Sequence, residues 1–426
     1  MGTDTTAIII LVGGFFLLMF MRVGVGFAMG IASIATFIYL RLPLELVVQY
    51  TIGGVNVFTF LAVPFFILAG ELINQGGIGE RLIKFADSLV GWIPGGAALV
   101  NILSSMFFGG ISGSPTADIA SLGPIEIKLM EAQGYDKDFS SALTCATSIQ
   151  GMLIPPSHNL VIYAVAAGSV SIGALFVAGL PAGIFLGMVM AVYCIIYSKK
   201  NHLTAKRKFS PRETGRTFYS AFGGLMTIVI IFVGVAFGIM TATESAAVAV
   251  LWAFICAFFI YRDVPIKKYY KIASSAISML ATIMILLAAA NTFGWIVSYL
   301  RIPNKVATFI LSVTQNKIVI LILINLVLLV LGCVMSMSSL LLIVTPIVVP
   351  ILQQMDYSLV QFGIVMILNL GIGLLTPPVG SALYVGSAVS GLSVGKLGKS
   401  LLPFYLVMVI ALILLTFIPA LTTFLL

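Results

Sequence analysis

Charge is what this sequence has least of. Only 8% of its 426 residues are Asp, Glu, Lys or Arg, against 60% hydrophobic. A water-soluble chain carries about a quarter charged residues. So few could not cover a soluble surface of this size, and soluble multi-domain readings are excluded. Histidine is nearly missing, with His158 and His202 the two present. The four cysteines, Cys145, Cys194, Cys256 and Cys333, stand singly in apolar runs without a CxxC pair. Neither a disulfide framework nor a zinc site is indicated, and the thiols read as small packing residues. Lipid must be much of the solvent, so the fold class is all-α integral membrane.

The formal net charge of +8 does not point to nucleic acid, because of where it sits. The densest basic run, Lys199, Lys200, Lys206, Arg207, Lys208, Arg212 and Arg216, lies between two apolar spans. Cytoplasmic loops keep their Lys and Arg there. The apolar stretch from Ala7 to Met21 has no basic leader and no small-residue cleavage site. It reads as a first membrane helix rather than a signal.

A crossing helix takes about 20 mostly apolar residues. The pattern predicts crossings over 6–21, 24–40, 46–74, 139–168 (interrupted), 172–198, 217–240, 243–261, 272–300, 359–390 (interrupted) and 401–424. Two further apolar stretches, about 95–132 and 317–354, have small or polar centres, GGISGSPTAD and GCVMSMSS. Each has the length of a hairpin that enters the membrane and returns. With 199–216 placed inside, Arg81, Lys84, Lys128, Lys137, Arg262, Lys267, Lys268, Lys271, Lys396 and Lys399 also fall inside. The outside keeps Arg41, Arg301, Lys305 and Lys317, and both chain ends are expected there.

One constant offset, the interval from Gly110 to Gly332, relates many of the backbone-breaking positions. It also carries Pro124 to Pro346, Tyr135 to Tyr357, Gly151 to Gly373 and Pro155-Pro156 to Pro377-Pro378. Ser171, Gly173 and Pro181 map to Ser393, Gly395 and Pro403, and Tyr39 and Pro43 to Tyr261 and Pro265. Gly and Pro matches mark backbone needs and outweigh Leu-for-Leu matches in an apolar chain. The domains expected are a first repeat over 1–198, a basic cytoplasmic loop over 199–216 and a second repeat with a last membrane helix over 217–426. The loop at Arg41–Glu45 is placed outside and its copy at Arg262–Lys267 inside, so the repeats are inverted, a recurring transporter plan.

The first hairpin tip, Gly109 to Asp118, breaks the helix with glycine and proline and leaves orphan backbone groups. A half-helix starting after Pro115 aims its amides at the break and favours an anion. The carbonyls of the preceding half-helix, with the Ser112 and Ser114 hydroxyls, suit a hard cation such as Na+. The interrupted helix GMLIPPSHN, Gly151–Asn159, frees carbonyls at its prolines. Ser157 and Asn159 are candidate ligand contacts, and His158 reads as structural. In the second copy, GIGLLTPPVGS, Asn369, Thr376 and the carbonyls about Pro377 face the tip Gly332–Ser339 as a second cation site. Ser336 stands at the same offset from Ser114, giving both tips a hydroxyl. Glu244 reads as a helix cap or an arginine partner.

These motifs, PFFILAGELINQGG (64–77), SGSPTAD (112–118), IPPSHN (154–159), TATESAAV (241–248) and LLTPPVGSAL (374–383), run in order across nearly the whole chain. The chain resembles the large membrane subunit of tripartite ATP-independent periplasmic (TRAP) transporters. The resemblance implies an ion-transporter-superfamily-like elevator fold and a Na+-driven importer of the bacterial inner membrane. It also implies two partners, a small four-helix membrane subunit and a periplasmic substrate-binding protein, and an organic-acid substrate such as sialic acid or a C4-dicarboxylate. Carried onto this sequence, substrate contacts fall on Ser112, Ser114, Ser157, Asn159 and Ser336. Na+ sites fall on Gly110, Ser112 and Gly113 with Pro155, and on Gly332 and Ser336 with Gly373, Thr376 and Pro377. Many relatives have an acidic residue in the second tip where this chain has Ser336, so an Asp-centred site does not carry over.

Two other classes compete with a transporter. An intramembrane serine protease could use Ser112 in Gly110–Gly113 with His158 as base, but the second half repeats the breaks without a histidine. A channel could line its filter with both hairpins. An ATP-driven pump fits less well still, since Ser393 stands where a P-loop ending at Gly398–Ser400 needs its first glycine.

Overall fold

The computed structural model describes residues 3–203, 208–262 and 264–426, so Lys206 and Arg207 of the basic run lie outside the described residues. Among the described residues every regular element is helical. Ile172–Lys200, Pro211–Ala236, Ala242–Ile260, Tyr269–Tyr299 and Met337–Gln354 are long and apolar enough to cross a bilayer. Val394–Ser400 and Leu402–Phe417 together make one more, bent by 53°. Large apolar side chains such as Phe20, Phe27, Val330 and Leu406 stand exposed, as a lipid solvent allows.

The offset seen in the sequence recurs in the helices. The first hairpin descends as Gly96–Ser112 and returns as Pro115–Ser121 and Gly123–Ala132, and the second as Lys317–Gly332 and Met337–Gln354. The first broken helix runs Lys137–Thr147, Gln150–Leu153 and then His158–Ala167, and the second runs Leu359–Leu375 and Ser381–Ser390. Matching serines start matching helices. Ser114 and Ser336 accept from the amides of Ala117 and Ser339, and Ser171 and Ser393 from those of Ala174 and Lys396. These hydroxyls satisfy amides that helix starts leave orphaned. Gly134 (φ 93) and Asp356 (φ 53) follow equivalent helix ends, where the left-handed region is required.

The two repeats pack crosswise. His158–Ala167 of the first lies on Met337–Gln354 of the second, and Ser381–Ser390 of the second lies on Pro115–Ser121 of the first. The exchange is reciprocal, as a pseudo-two-fold relation between inverted repeats requires. Tyr163, fully buried, fixes one seam by donating its hydroxyl to the Leu359 carbonyl at 2.7 Å. Around this unit a second group forms. Val25–Tyr39 and Glu45–Val55 pack on Tyr269–Tyr299, and Ala62–Gln75 packs on Ala242–Ile255.

Three details depart from the sequence pattern. The crossing expected over 46–74 is two helices, Glu45–Val55 and Ala62–Gln75, joined through the short turn Phe58–Leu61. Asn56 leaves the helix at φ −89, ψ 51, and Gly54 presses on Tyr269–Tyr299, where a Cβ would lie 2.5 Å from Asn291 Cβ. Short helices Ile78–Val90 and Ile302–Val313 precede the hairpins. The first is half polar, with Glu80 and Lys84 paired at 2.7 Å opposite buried Leu82 and Ile83, and apolar-run counting passes over such a helix. The basic loop is shorter than 199–216, because Lys199 and Lys200 end one helix and Arg212 and Arg216 lie in the next. Glu244 is a cap. Its carboxylate accepts from the Thr241 amide at 2.8 Å while Thr241 Oγ1 accepts from the Glu244 amide at 3.2 Å.

Candidate functional site

The first tip closes on a left-handed glycine. Gly113 (φ 60) ends Gly96–Ser112 and returns its amide to the Gly109 carbonyl at 2.8 Å. Ser112 Oγ accepts from the Ser114 amide at 3.4 Å, and Ser114 Oγ lies 3.0 Å from Thr116 Oγ1. Opposite the tip, Pro155 and Pro156 interrupt the helix ladder. A Cβ on Gly110 would sit 3.3 Å from the Pro155 carbonyl, and one on Gly113 would sit 3.4 Å from that of Pro156. Glycine is therefore what lets tip and break meet backbone to backbone. Asn159 Nδ2 donates to the Gly113 carbonyl at 3.4 Å.

Ser157 is fully buried beside this junction, and its hydroxyl has no partner. Unlike Ser114 and Ser336, it does not cap the helix it precedes, so His158–Ala167 starts without a side-chain cap. Amides in a first turn left this way attract an anion. His158 is buried against the Gly113 backbone, with Nδ1 3.2 Å from a Cβ built there. No hydrogen bond joins it to Ser112 among the described residues.

The second tip repeats the construction more openly. Gly332 and Gly373 touch through their backbones, a Cβ on Gly373 falling 2.6 Å from Gly332 C. The Val379 amide donates to the Cys333 carbonyl at 3.2 Å, tying break to tip. Thr376 Oγ1 donates to the Ile372 carbonyl at 2.8 Å, and the Thr376 carbonyl accepts from the Gly380 amide at 3.3 Å. Ser336 Oγ lies 2.5 Å from Ser339 Oγ, and Ser336 and Pro377 are exposed. Asn369 keeps its Oδ1 buried and without a hydrogen-bond partner among the described residues. Its amide donates to the Asn325 carbonyl and Oδ1 at 2.9 and 2.8 Å, bonding the broken helix to the hairpin's first arm.

The structure thus gathers Gly110, Ser112, Gly113, Pro155, Ser157 and Asn159 at one junction, and Gly332, Gly373, Thr376 and Pro377 at the other. Sequence reasoning placed Gly109 in the tip but missed its contact, where a Cβ would lie 2.2 Å from Gly151 Cα. It also missed Cys333 and Gly380, because their contribution is a carbonyl and an amide. Each junction offers oxygen ligands and loose amides without a lysine or arginine among the described residues, an arrangement that can hold a hard cation and an anion side by side.

Access is asymmetric. The first tip abuts Ala62–Gln75, where a Cβ on Gly70 would sit 3.4 Å from Ser112 Cα. Ser157 and Asn159, at 0% and 3% exposure, are closed to a solute in this structure. A cavity of about 850 Å3 lies elsewhere, between Tyr269–Tyr299 and residues 164–173, with Tyr50, Asn291, Trp295 and Ser171 in its wall. It contains none of the break residues.

Residues 12–421 match the family described as "Tripartite ATP-independent periplasmic transporter, DctM component". The sialic acid TRAP transporter large permease protein SiaM of Vibrio cholerae is 39% identical over 95% of this chain and 95% of its own length. The isethionate TRAP transporter permease protein DctMQ of Oleidesulfovibrio alaskensis is 36% identical over 97% of this chain and 66% of its own length. Among solved structures, the YdaH transporter of Alcanivorax borkumensis shares the fold, with a TM-score of 0.67 at 14% identity over 87% of this chain and 86% of that one.

Proposed function

This chain belongs to the DctM component family of tripartite ATP-independent periplasmic transporters, and from that premise we propose that it carries a small organic anion inward together with Na+. It is a large transport permease and not an enzyme. One observation carries the proposal: the buried junction where the Gly110 and Gly113 backbones meet the freed Pro155 and Pro156 carbonyls beside the unpartnered Ser157 hydroxyl. Carbonyls and hydroxyls suit Na+, and the uncapped start of His158–Ala167 suits a carboxylate. The second junction, with the Cys333 and Thr376 carbonyls, is the place for a further Na+.

The substrate class rests on the relatives. SiaM is named for sialic acid and DctMQ for isethionate, and a small organic anion is common to both. A carboxylate of the sialic-acid kind is the first candidate, with C4-dicarboxylates and other sugar acids next. In this reading the chain works in the bacterial inner membrane with a small membrane subunit and a periplasmic substrate-binding protein. The crosswise unit of hairpins and broken helices moves against the surrounding helices, and opening of the Gly70–Ser112 contact exposes Ser157.

The test is uptake into liposomes holding the chain and its partners, screened over organic acids under an inward Na+ gradient. Ser112→Ala and Ser157→Ala are expected to lower uptake by roughly tenfold or more, the worth of a hydrogen bond to a charged ligand, with membrane insertion unchanged. Normal uptake by both variants would remove them from the site, and single-channel currents would replace the transporter with a channel.

A further inference from the structure

A cavity of about 450 Å3 opens between the start of Lys137–Thr147, the end of Ile172–Lys200 and the bent pair Val394–Ser400 and Leu402–Phe417. Asp136, Lys137, Asp138 and Lys396 line it, and none of the junction residues does. The duplication does not ask for these groups. At the common offset Asp136, Lys137 and Asp138 become Ser358, Leu359 and Val360, and Lys396 becomes Ala174. Two tyrosines of the wall, Tyr193 and Tyr197, become Leu415 and Pro419. Charge and rings are thus confined to one of two related places, the one on the face that the basic loops mark as cytoplasmic.

The carboxylates are not used up by the fold. Asp136 stands at the N-cap of Lys137–Thr147 yet makes no cap hydrogen bond, although Asp is among the best capping residues. Its Oδ2 accepts instead from the Tyr197 hydroxyl at 3.2 Å. Asp138 Oδ1 lies 2.9 Å from Lys396 Nζ, in an ion pair that joins the two repeats. A carboxylate has about four acceptor sites, so both retain room for a further donor. Phe139 adds to the wall, stacked on Tyr197 with 3.7 Å between ring centres. Aromatic rings and carboxylates together suit an ammonium group, and the lysines beside them suit a phosphate. Two acids and two bases sum to zero, so the cavity complements a zwitterion better than an anion.

The place of the cavity in the bilayer says what carries that zwitterion. Tyr193 and Tyr197 fall in the last two turns of a crossing helix that ends at Lys199 and Lys200, the level of lipid headgroups. Along the same helix Met188, Val192 and Ile196 are exposed, and on Leu402–Phe417 so are Leu402, Leu406 and Ile410. The two helices pack together, so apolar side chains lead from the cavity into the hydrocarbon.

We propose that this cavity binds one phosphatidylethanolamine-type lipid of the cytoplasmic leaflet. Its ammonium sits on Asp136, Asp138 and the rings, its phosphate on Lys137 and Lys396, and its acyl chains along the exposed apolar track. The site is independent of Na+ and of the substrate.

Native mass spectrometry of the full-length chain in detergent, with equal amounts of dioleoyl phosphatidylethanolamine, phosphatidylcholine and phosphatidylglycerol, tests this. Phosphatidylethanolamine is expected to be retained about tenfold over either of the others, the worth of a hydrogen bond to a charged group. Stepwise N-methylation of the ethanolamine removes its donors and is expected to erode retention by the unsubstituted protein, so the result does not depend on a variant folding. Asp136→Asn with Asp138→Asn is expected to abolish the preference and leave the unfolding midpoint near the parental one, because exposed ion pairs contribute little. A midpoint that falls while the preference persists would make the carboxylates struts of the fold and overturn the proposal. Equal retention of the three lipids overturns it, as does a preference for phosphatidylglycerol, which would mark an anion site. Soluble phosphoethanolamine displacing the lipid at equal concentration would take the acyl chains out of the site and overturn the lipid as its occupant.

Discussion

Gly151→Val leaves little or no folded permease, and Gly109→Val does the same. A Cβ on Gly151 would lie 2.4 Å from Gly109 Cα, and one on Gly109 would lie 2.2 Å from Gly151 Cα. Both obstacles are backbone, so no rotamer change relieves them. Overpacking a well-fitted core costs about 1–3 kcal/mol where side chains give way, and here helix must separate from helix. Separation would also pull the tip from the Pro155 and Pro156 carbonyls. Gly373→Val in the second repeat meets Gly332 backbone at 2.6 Å and is expected to fail likewise. Gly30→Ala, with nothing within 4 Å of its Cβ, is the control and is expected to be neutral or slightly stabilising by helix propensity. Size-exclusion profiles and thermal unfolding in detergent read all four. A monodisperse Gly151→Val protein with parental stability would mean that hairpin and broken helix do not touch as described.

A disulfide between Gly173→Cys and Val235→Cys stops uptake, and reduction restores it. Gly173 belongs to Ile172–Lys200, which packs on the first hairpin and both broken helices, whereas Val235 belongs to Pro211–Ala236. A Cβ on Gly173 would sit 3.6 Å from Val235 Cγ1, so the two side chains would be in contact. The bond would join the crosswise unit to its surroundings and block the relative motion proposed to expose Ser157. Uptake before oxidation, after oxidation and after reductant, with single-cysteine controls, gives the answer. Full uptake by the cross-linked double variant would exclude motion of one unit against the other.

Much of this architecture was legible because its devices are residue types with strong backbone meaning. The Pro-Pro pairs at 155–156 and 377–378, the tip glycines and the capping serines 114 and 336 mark breaks wherever they occur in an apolar chain. Their common offset exposed the duplication. The break after Val55 was hidden, because its copy in Tyr269–Tyr299 continues unbroken through the same register. The role of Gly109 was hidden too, since Gly110 is the residue that obeys the offset and Gly109 is the one that meets Gly151. The Asn369 amide bonds Asn325, a partner that spacing does not reveal.

In the proposed reading, transport depends first on cation binding at the two breaks. The most direct measurement is thermal unfolding of the full-length chain in NaCl against choline chloride at equal ionic strength. A ligand that binds only the folded state adds about 2.7 kcal/mol at a hundredfold excess over its dissociation constant. The midpoint is expected to rise in NaCl, with the rise reduced in Ser112→Ala and again in Thr376→Ala. Equal midpoints in the two salts, or a rise untouched by either substitution, would contradict it.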